Sequence, residues 1–326
     1  MSRPPAPAPL ELGPVLRLGR ARVYTGTCSW TDPTLVKDAA WYPRRSMTAA
    51  ERLAFYARSF PVVEADSTYY WPPGPELARS WVARTPPGFR LDVKAWSLLT
   101  HHPTRPDSLW ADLREEVDPA ARDKRSLYAH HLSGDALEEA WHRFATALAP
   151  LEEAGKLGAV LVQYPTWFTP KRGNREEVAR LPDRLEGLRA SVELRSPRWL
   201  AGDERERTLG LLSEHGLTHV VVDAPAASGL PPVVAVTSQD LAVVRFHGRA
   251  DDAWSARTAS AADRFRYLYD DAELRPWTAR VAELAAGEGG ADEVHLLMNN
   301  CYRDYGVRNA ADLGRLLRGA GAGLAG

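Results

Sequence analysis

Charged residues in this chain recur in pairs two positions apart, with an apolar residue between them. Glu64 and Asp66 stand on either side of Ala65 in the stretch VVEADSTYY, residues 62–70. Because side chains alternate faces along a β-strand, the two carboxylates share one face of the strand. Carboxylates are costly to bury unless cations or hydrogen-bond donors surround them. The stretch therefore indicates a charged site built where a strand ends.

Three later segments repeat this alternation, and three further candidate strands end in an amide or a carboxylate. If the strands are parallel, their C-terminal ends meet at one face of the protein, where barrel enzymes build their sites. We therefore expect one polar mouth that collects these side chains. Its predicted members are Glu64, Asp66, Lys94, Gln163, Glu193, Arg195, Asp223, Arg245, His247 and Asn299.

Eight strand-like segments alternate with mostly helical connections and would position these residues. The strands are predicted at residues 22–28, 62–66, 89–95, 158–164, 190–195, 217–223, 242–247 and 292–299. Such alternation implies parallel strands with helices outside them. Eight units favour a closed (β/α)8 TIM-type barrel over an open doubly wound sheet, and no Gly-x-Gly-x-x-Gly follows the first strand. The fold class is α/β, with a long excursion after the third strand.

One barrel domain is predicted over residues 21–318, between flexible tails at residues 1–20 and 319–326. Helices are predicted at 135–154, with Asp135 as the N-cap, at 175–186, and from Asn309 as N-cap to 319. The net charge of −1 gives no global attraction for nucleic acid or an anionic membrane. No apolar run has the length of a signal peptide or a membrane span, and the two cysteines make no disulfide scaffold, so a cytoplasmic protein is expected.

Roles follow from residue chemistry. Glu64 and Glu193 are the predicted general acid–base pair, Asp223 would orient or ligate, and His247 would exchange protons near neutral pH. Cationic, amide and aromatic side chains at the mouth would bind a polar, anionic substrate of phosphorylated or nucleotide-like character. The predicted substrate-binding residues are Lys94, Gln163, Arg195, Arg245, Arg249, Asn299, Trp30 and Tyr70.

Two features of the loops after the strands support such a ligand. Tryptophans follow six strands, at positions 30, 71, 96, 167, 199 and 254, and could line a cleft for a sugar ring or a nucleobase, or brace the core. Arg249 after the seventh strand and the start of the last helix near Asn309 could form a phosphate site, or an ordinary loop and cap.

Several functions stay open. A hydrolase or an isomerase or lyase is the leading hypothesis. A glycosidase would use the two glutamates, and a divalent-metal hydrolase would need Glu64, Glu193, Asp223 and His247 to converge. No other cofactor is indicated. The protein could also be a non-catalytic binder of small molecules or nucleic acid, or the charges could form a closed layer of ion pairs that plugs the barrel.

The motifs together resemble the DUF72 (YecE-like) family over roughly residues 22–317. They are GTCSW (26–30), VEADSTYY (63–70), VKA (93–95), QYP (163–165), VELR (192–195) and RFHGR (245–249). The resemblance implies a TIM-barrel-type fold and implies little about activity, because the family is named for lacking an established function. Relative to the usual family pattern, Cys28 stands where a serine is common and Asp66 where an asparagine is common.

Overall fold

The computed structural model describes residues 12–251 and 265–325. A short strand, β1 (Leu16–Leu18), precedes eight parallel strands that close into a barrel by hydrogen bonds between the first and the last of them. The barrel strands are β2 (Ala21–Thr27), β3 (Val62–Ala65), β4 (Arg90–Lys94), β5 (Leu157–Tyr164), β6 (Ala190–Leu194), β7 (Thr218–Asp223), β8 (Leu241–Phe246) and β9 (Glu293–Met298). The predicted (β/α)8 TIM-type barrel is confirmed.

Helices pack around the barrel and join its strands. They are α1 (Pro33–Asp38), α2 (Ala49–Tyr56), α3 (Pro75–Arg84), α4 (Ala111–Glu115), α5 (Gly134–Ala147), α6 (Ala149–Glu153), α7 (Arg172–Ala179), α8 (Leu181–Arg184), α9 (Asp203–Glu214), α10 (Asp271–Ala285) and α11 (Tyr305–Gly319). Among the described residues, no helix has the length and apolar character needed to cross a membrane.

Three predicted helices differ in detail from the observed ones. The predicted helix at 135–154 is two helices, α5 and α6, because Pro150 lacks the N–H that a continuous helix would need. Its N-cap is Ser133, whose hydroxyl accepts from Ala136 N, and not Asp135. The predicted helix at 175–186 divides in the same way before Pro182. The last helix begins at Tyr305, so Asn309 lies inside it and is not its N-cap.

The long excursion is present between β4 and α5. Short helical turns alternate there with irregular chain, and two isolated bridges, Thr104 to Leu127 and Val117 to Leu132, tie its ends together. Its buried leucines and Val117 join the main hydrophobic core, so this segment covers one side of the barrel.

The chain ends are more ordered than the predicted tails, where the structure describes them. Strand β1 pairs antiparallel with β2 and with a two-residue strand, β10 (Gly323–Leu324). These pairings satisfy backbone groups that a loose tail would leave to water. Residues 1–11 and 326 of the predicted tails lie outside the described residues.

Alternation along the strands separates an outer core from an inner one. Outward side chains pack against helices, whereas inward ones such as Tyr24, Leu161, Val243 and Leu297 form a second apolar cluster inside the barrel. The inward side chains at the C-terminal ends of the strands are polar, and they form the mouth described next.

Candidate functional site

The centre of the mouth is a buried ion-pair layer, which we call the floor and which consists of Glu64, Glu193 and Arg245. The guanidinium of Arg245 donates from Nε to Glu64 Oε2 and from Nη2 to Glu64 Oε1, each over 2.8 Å. Its Nη1 donates to Glu193 Oε2. All three side chains are at most 1% exposed. One guanidinium thus holds two carboxylates from different strands.

Glu193 has further donors on its other oxygen. Gln163 Nε2 lies 2.7 Å and Arg195 Nη1 3.0 Å from Oε1. Burial alone would raise the pKa of Glu193, but Arg245 and then His247 outweigh burial and hold the pKa well below its ordinary value. Glu193 is therefore a fixed negative charge. A general acid needs a proton to give near neutral pH, which Glu193 lacks. Both oxygens of Glu64 are bonded to Arg245, so the geometry does not favour this acid–base pair or a glycosidase built on it.

Asp223 and Arg249 lie away from the mouth, contrary to the prediction. The inward residues of β7 are Val220 and Val222, so Asp223 points outward to the helix layer. Its carboxylate accepts two bonds from Arg249, at 2.9 and 2.6 Å, one from Tyr269 at 2.8 Å and one from Trp277 at 3.0 Å. Both charges are used in joining β7, the loop after β8 and α10.

The predicted phosphate site at the last two units is also occupied by internal contacts. Asn309, within α11, accepts from Tyr269 N and donates to Tyr269 O, and it accepts from Asn300. The Arg249 guanidinium is held by Asp223 and stacks on the Tyr269 ring, 5.5 Å from its centroid. These groups fasten the loop and the helix together, and within the described residues their contacts with one another leave no cradle for an anion.

His247 and Asn299 do reach the mouth. Asn299 Nδ2 lies 2.7 Å from His247 Nδ1, and His247 Nε2 lies 3.3 Å from Glu193 Oε1. Burial lowers the pKa of His247 to about 4, although Glu193 acts to raise it. The imidazole is therefore neutral at pH 7, with Nε2–H facing Glu193, and the predicted proton exchange near neutral pH is not supported.

The four residues predicted as metal ligands do not converge on one site. Asp223 faces away from the other three candidates, and Arg245 occupies the carboxylates of Glu64 and Glu193. Within residues 12–251 and 265–325, no group of three or more His, Cys, Asp or Glu side chains has the arrangement of a metal site.

A cavity of about 390 Å³ opens above the floor, at the ends of β2, β3 and β9. Its lining includes Ser29, Asp66, Tyr70, Asn299 and Cys301. Burial and then the neighbouring Glu64 raise the pKa of Asp66 to about 6, against the lowering effects of Lys94 and a hydrogen bond from Ser29. Asp66 is the carboxyl group that can both hold and release a proton near neutral pH, whereas Glu193 cannot.

Lys94 supplies an amine near Asp66, which lines this cavity. Its Nζ lies 4.5 Å from the centroid of the Tyr69 ring, and the side chain is partly buried. Nζ makes no hydrogen bond and no ion pair within the part of the chain that the structure describes. Burial and then the Arg245 guanidinium lower the pKa of Lys94, against Glu64, Glu193 and Asp66.

Four aromatic side chains in mutual contact form what we call the rim, and one of them, Tyr69, contacts the amine; the rim consists of Tyr69, Tyr70, His102 and Trp167. Tyr69 contacts Tyr70 and His102 edge-on, and His102 contacts Trp167. Tyr70 is 57% and Trp167 58% exposed. Burial and then Lys94 and Arg195 lower the pKa of His102 to about 4. The rim offers flat apolar surfaces and a neutral imidazole to a ligand.

The other tryptophans that were predicted near the mouth differ in how exposed they are. Trp71, next to the rim, is 49% exposed. Trp30, Trp96 and Trp199 are buried; Trp30 donates to Ala49 O and Trp199 to Phe168 O, so they brace the core. Trp254 lies outside the described residues. His102 and Tyr69 were missed as site residues because they belong to loops, where strand alternation gives no information.

Comparisons with known proteins agree with the fold. A family profile described as "Protein of unknown function DUF72" matches residues 24–325. The chain is 26% identical over 308 residues to the UPF0759 protein YunF of Bacillus subtilis strain 168, covering 93% of this chain and 97% of YunF. It is 27% identical over 247 residues to the UPF0759 protein YecE of Escherichia coli K12, covering 70% and 75% of the two chains.

Solved structures extend this similarity to three dimensions. The DUF72 family protein EF0366 of Enterococcus faecalis V583 superposes with a TM-score of 0.71 at 25% identity, covering 91% of this chain and 95% of that one. The DUF72 family protein TM1631 of Thermotoga maritima MSB8 gives a TM-score of 0.69 at 28% identity, covering 91% and 99%. The profile match spans nearly the whole barrel, and the chain belongs to the DUF72 family.

Proposed function

We propose that this protein is a barrel enzyme that binds a small, anionic, ring-bearing substrate at its mouth, of phosphorylated or nucleotide-like character, and that its reaction is a proton transfer or a hydrolysis. The observation that carries the proposal is the amine of Lys94. It has no carboxylate partner among the described residues and is a charged neighbour of Asp66, which lines the cavity, whereas Arg245 and Arg249 are each neutralised by buried carboxylates.

The groups around the amine suit such a reaction. Lys94, with Arg195 near it, would attract the anionic end of the substrate, and Tyr70 and Trp167 would stack on a ring. Asp66 is the general acid–base, because a catalytic pKa near the working pH gives the best balance of proton donation and acceptance. A cytoplasmic location fits a reaction on a small metabolite. It also fits the two cysteines, Cys28 and Cys301, which are unpaired.

Binding is tested by calorimetric titration with inorganic phosphate, sugar phosphates and nucleoside monophosphates. We expect at least one of them to bind, and Lys94→Met to weaken that binding by about tenfold or more, which is the loss of one charge-assisted contact. Lys171→Met, at an exposed lysine, is the matched control and should bind as the native protein does. Equal affinity of the Lys94→Met variant would contradict the proposal.

Turnover is tested with the ligand that binds. Phosphate release is followed by phosphorus NMR, and solvent-deuterium exchange into the ligand by proton NMR. Asp66→Asn should keep the affinity and slow turnover by roughly 10²- to 10⁴-fold, the usual contribution of a positioned acid or base. Binding without turnover in the native protein would instead support a non-catalytic small-molecule binder, and salt-dependent binding of oligonucleotides would support a nucleic-acid partner.

A further inference from the structure

The chain has only five lysines, Lys37, Lys94, Lys124, Lys156 and Lys171, and their surroundings differ sharply. Lys37, Lys124 and Lys171 are exposed. Lys156 is buried and donates to Val82 O and to the backbone and side-chain oxygens of Thr85. Among the described residues, Lys94 is the one lysine whose side chain is at least partly buried and whose Nζ has no oxygen acceptor. Within the described residues, a ligand would therefore not have to displace an oxygen acceptor from the Lys94 amine.

The groups that face Lys94 come from several strands and loops. Tyr69 covers one side of the amine with its ring. The charged and titratable neighbours are Arg245, Glu64, Glu193, Asp66 and His102. The two glutamates are already bonded to Arg245, so neither forms an ion pair with Lys94. Burial and the Arg245 charge both favour the neutral amine, which is the nucleophilic form.

We propose that Lys94 forms a Schiff base with the carbonyl carbon of a small anionic aldehyde or ketone bound in the mouth. The inference rests on the proposed function, since the charged form of the Lys94 amine attracts the anionic compound and, after losing its proton, becomes the nucleophile. It narrows the substrate class to carbonyl compounds and makes Lys94 a catalytic residue. An iminium at this position would draw electrons from the adjacent carbon, as proton transfer next to a carbonyl requires.

The covalent step balances without an oxidant or reductant. The lone pair of neutral Nζ attacks the carbonyl carbon, forming a C–N bond, while the carbonyl oxygen takes up a proton and the nitrogen loses one. The resulting carbinolamine expels its hydroxyl as water, with the proton supplied by the protonated form of Asp66, and a C=N bond remains. Hydrolysis by the reverse steps returns the free amine and the carbonyl compound.

Reductive trapping tests the inference in the native, full-length protein. Pyridoxal 5′-phosphate is the probe, because it carries an aldehyde, a ring and a phosphate. After brief exposure at pH 7, borohydride converts each imine to a stable secondary amine, and peptide mass spectrometry gives the modification rate at every lysine. We expect Lys94 to react faster than Lys37 and Lys171, since its lowered pKa gives it a larger neutral fraction at pH 7. Lys156 should stay unmodified.

Two controls sharpen the comparison. In urea, where the mouth is lost, all five lysines should react at similar rates. Lys94→Arg should remove the fast modification and leave the rates at the other four lysines unchanged. A rate at Lys94 no higher than at Lys37 and Lys171 in the folded native protein would overturn the inference, whether or not the variant folds.

The inference and the proposed function fail separately. Pyridoxal without its phosphate should modify Lys94 about tenfold more slowly if the mouth holds the anion. Equal rates with the two probes, together with no calorimetric binding of inorganic phosphate, would overturn the proposed function and the anionic part of the substrate class. Phosphate binding with slow modification of Lys94 by both probes would overturn the Schiff base and leave the proposed function in place.

Discussion

Replacing Arg245 by methionine should be among the most destabilising single changes in this protein. The substitution removes the guanidinium that bonds both Glu64 and Glu193 in the floor, and both carboxylates are fully buried. Removing one partner of a buried ion pair typically costs 3–5 kcal/mol, because the remaining charge is left without compensation. We therefore expect the free energy of unfolding at pH 7 to fall by about 3–5 kcal/mol, measured by urea titration with tryptophan fluorescence.

The pH dependence gives this prediction a second signature. In the native protein the pKa of Glu193 is depressed, so its contribution to stability is present above the unfolded pKa and is lost only as pH falls towards the folded value. The titration of Glu193 should therefore change the free energy of unfolding of the native protein little between pH 7 and 5. In the variant, the floor carboxylates are buried without a guanidinium and take up protons readily, so acidification over this range should restore part of the lost stability.

A surface pair provides the matched control. Arg79 bonds Glu76 in the same two-pronged way, at 3.3 and 2.5 Å, but both side chains are more than half exposed. Arg79→Met should leave the free energy of unfolding nearly unchanged, because solvent and salt screen exposed pairs. An Arg245→Met variant within about 1 kcal/mol of the native protein at pH 7, or with the same pH slope, would refute the role of the floor.

Three further changes test the rest of the site. Asp66→Asn should stabilise the protein by about 1–2 kcal/mol at pH 7 and not at pH 3, since a raised folded pKa, here about 6, makes ionisation oppose folding; urea titrations at the two pH values decide this. Asp223→Ala should cost about 3 kcal/mol in the same assay and alter the near-ultraviolet circular dichroism of Trp277, which loses its acceptor. Gly158→Ala should cost about 1–3 kcal/mol, because a Cβ there would lie 2.0 Å from Asp92 Oδ1, whereas Gly173→Ala in α7, with open space around it, should not destabilise.

Strand alternation was a good guide wherever it could be read. Glu64, Lys94, Glu193 and Arg245 each alternate with apolar neighbours, and all four side chains point into the barrel as predicted. Asp223 failed because it ends the run VVVD, in which consecutive valines are buried on both faces of the strand. Such a run has no alternation of polar and apolar residues, so the sequence does not show which face of the strand its last residue occupies.

The partners of each charge could not be predicted. Whether a buried glutamate holds a proton or an ion pair depends on distances between side chains that are far apart in the chain, such as the 181 residues between Glu64 and Arg245. The splits before Pro150 and Pro182 did have a signal, since proline at the first positions of a helix marks a new start. The roles of Tyr69 and His102 depend on loop conformation, which local sequence does not determine.

The closed floor and the reactive mouth are two layers of one arrangement. Carboxylates at the level of Glu64 and Glu193 are shut off from water, so they need a buried cation, and Arg245 provides it. One layer higher, Asp66 lines a cavity, and neither it nor the neighbouring Lys94 has an ion-pair partner of this kind among the described residues. Burial and then the Arg245 charge lower the pKa of the Lys94 amine, whereas the two glutamates and Asp66 act to raise it. The guanidinium that bonds the floor carboxylates is thus also one of the groups that lower the pKa of Lys94, which links the floor to the protonation of the amine in the mouth.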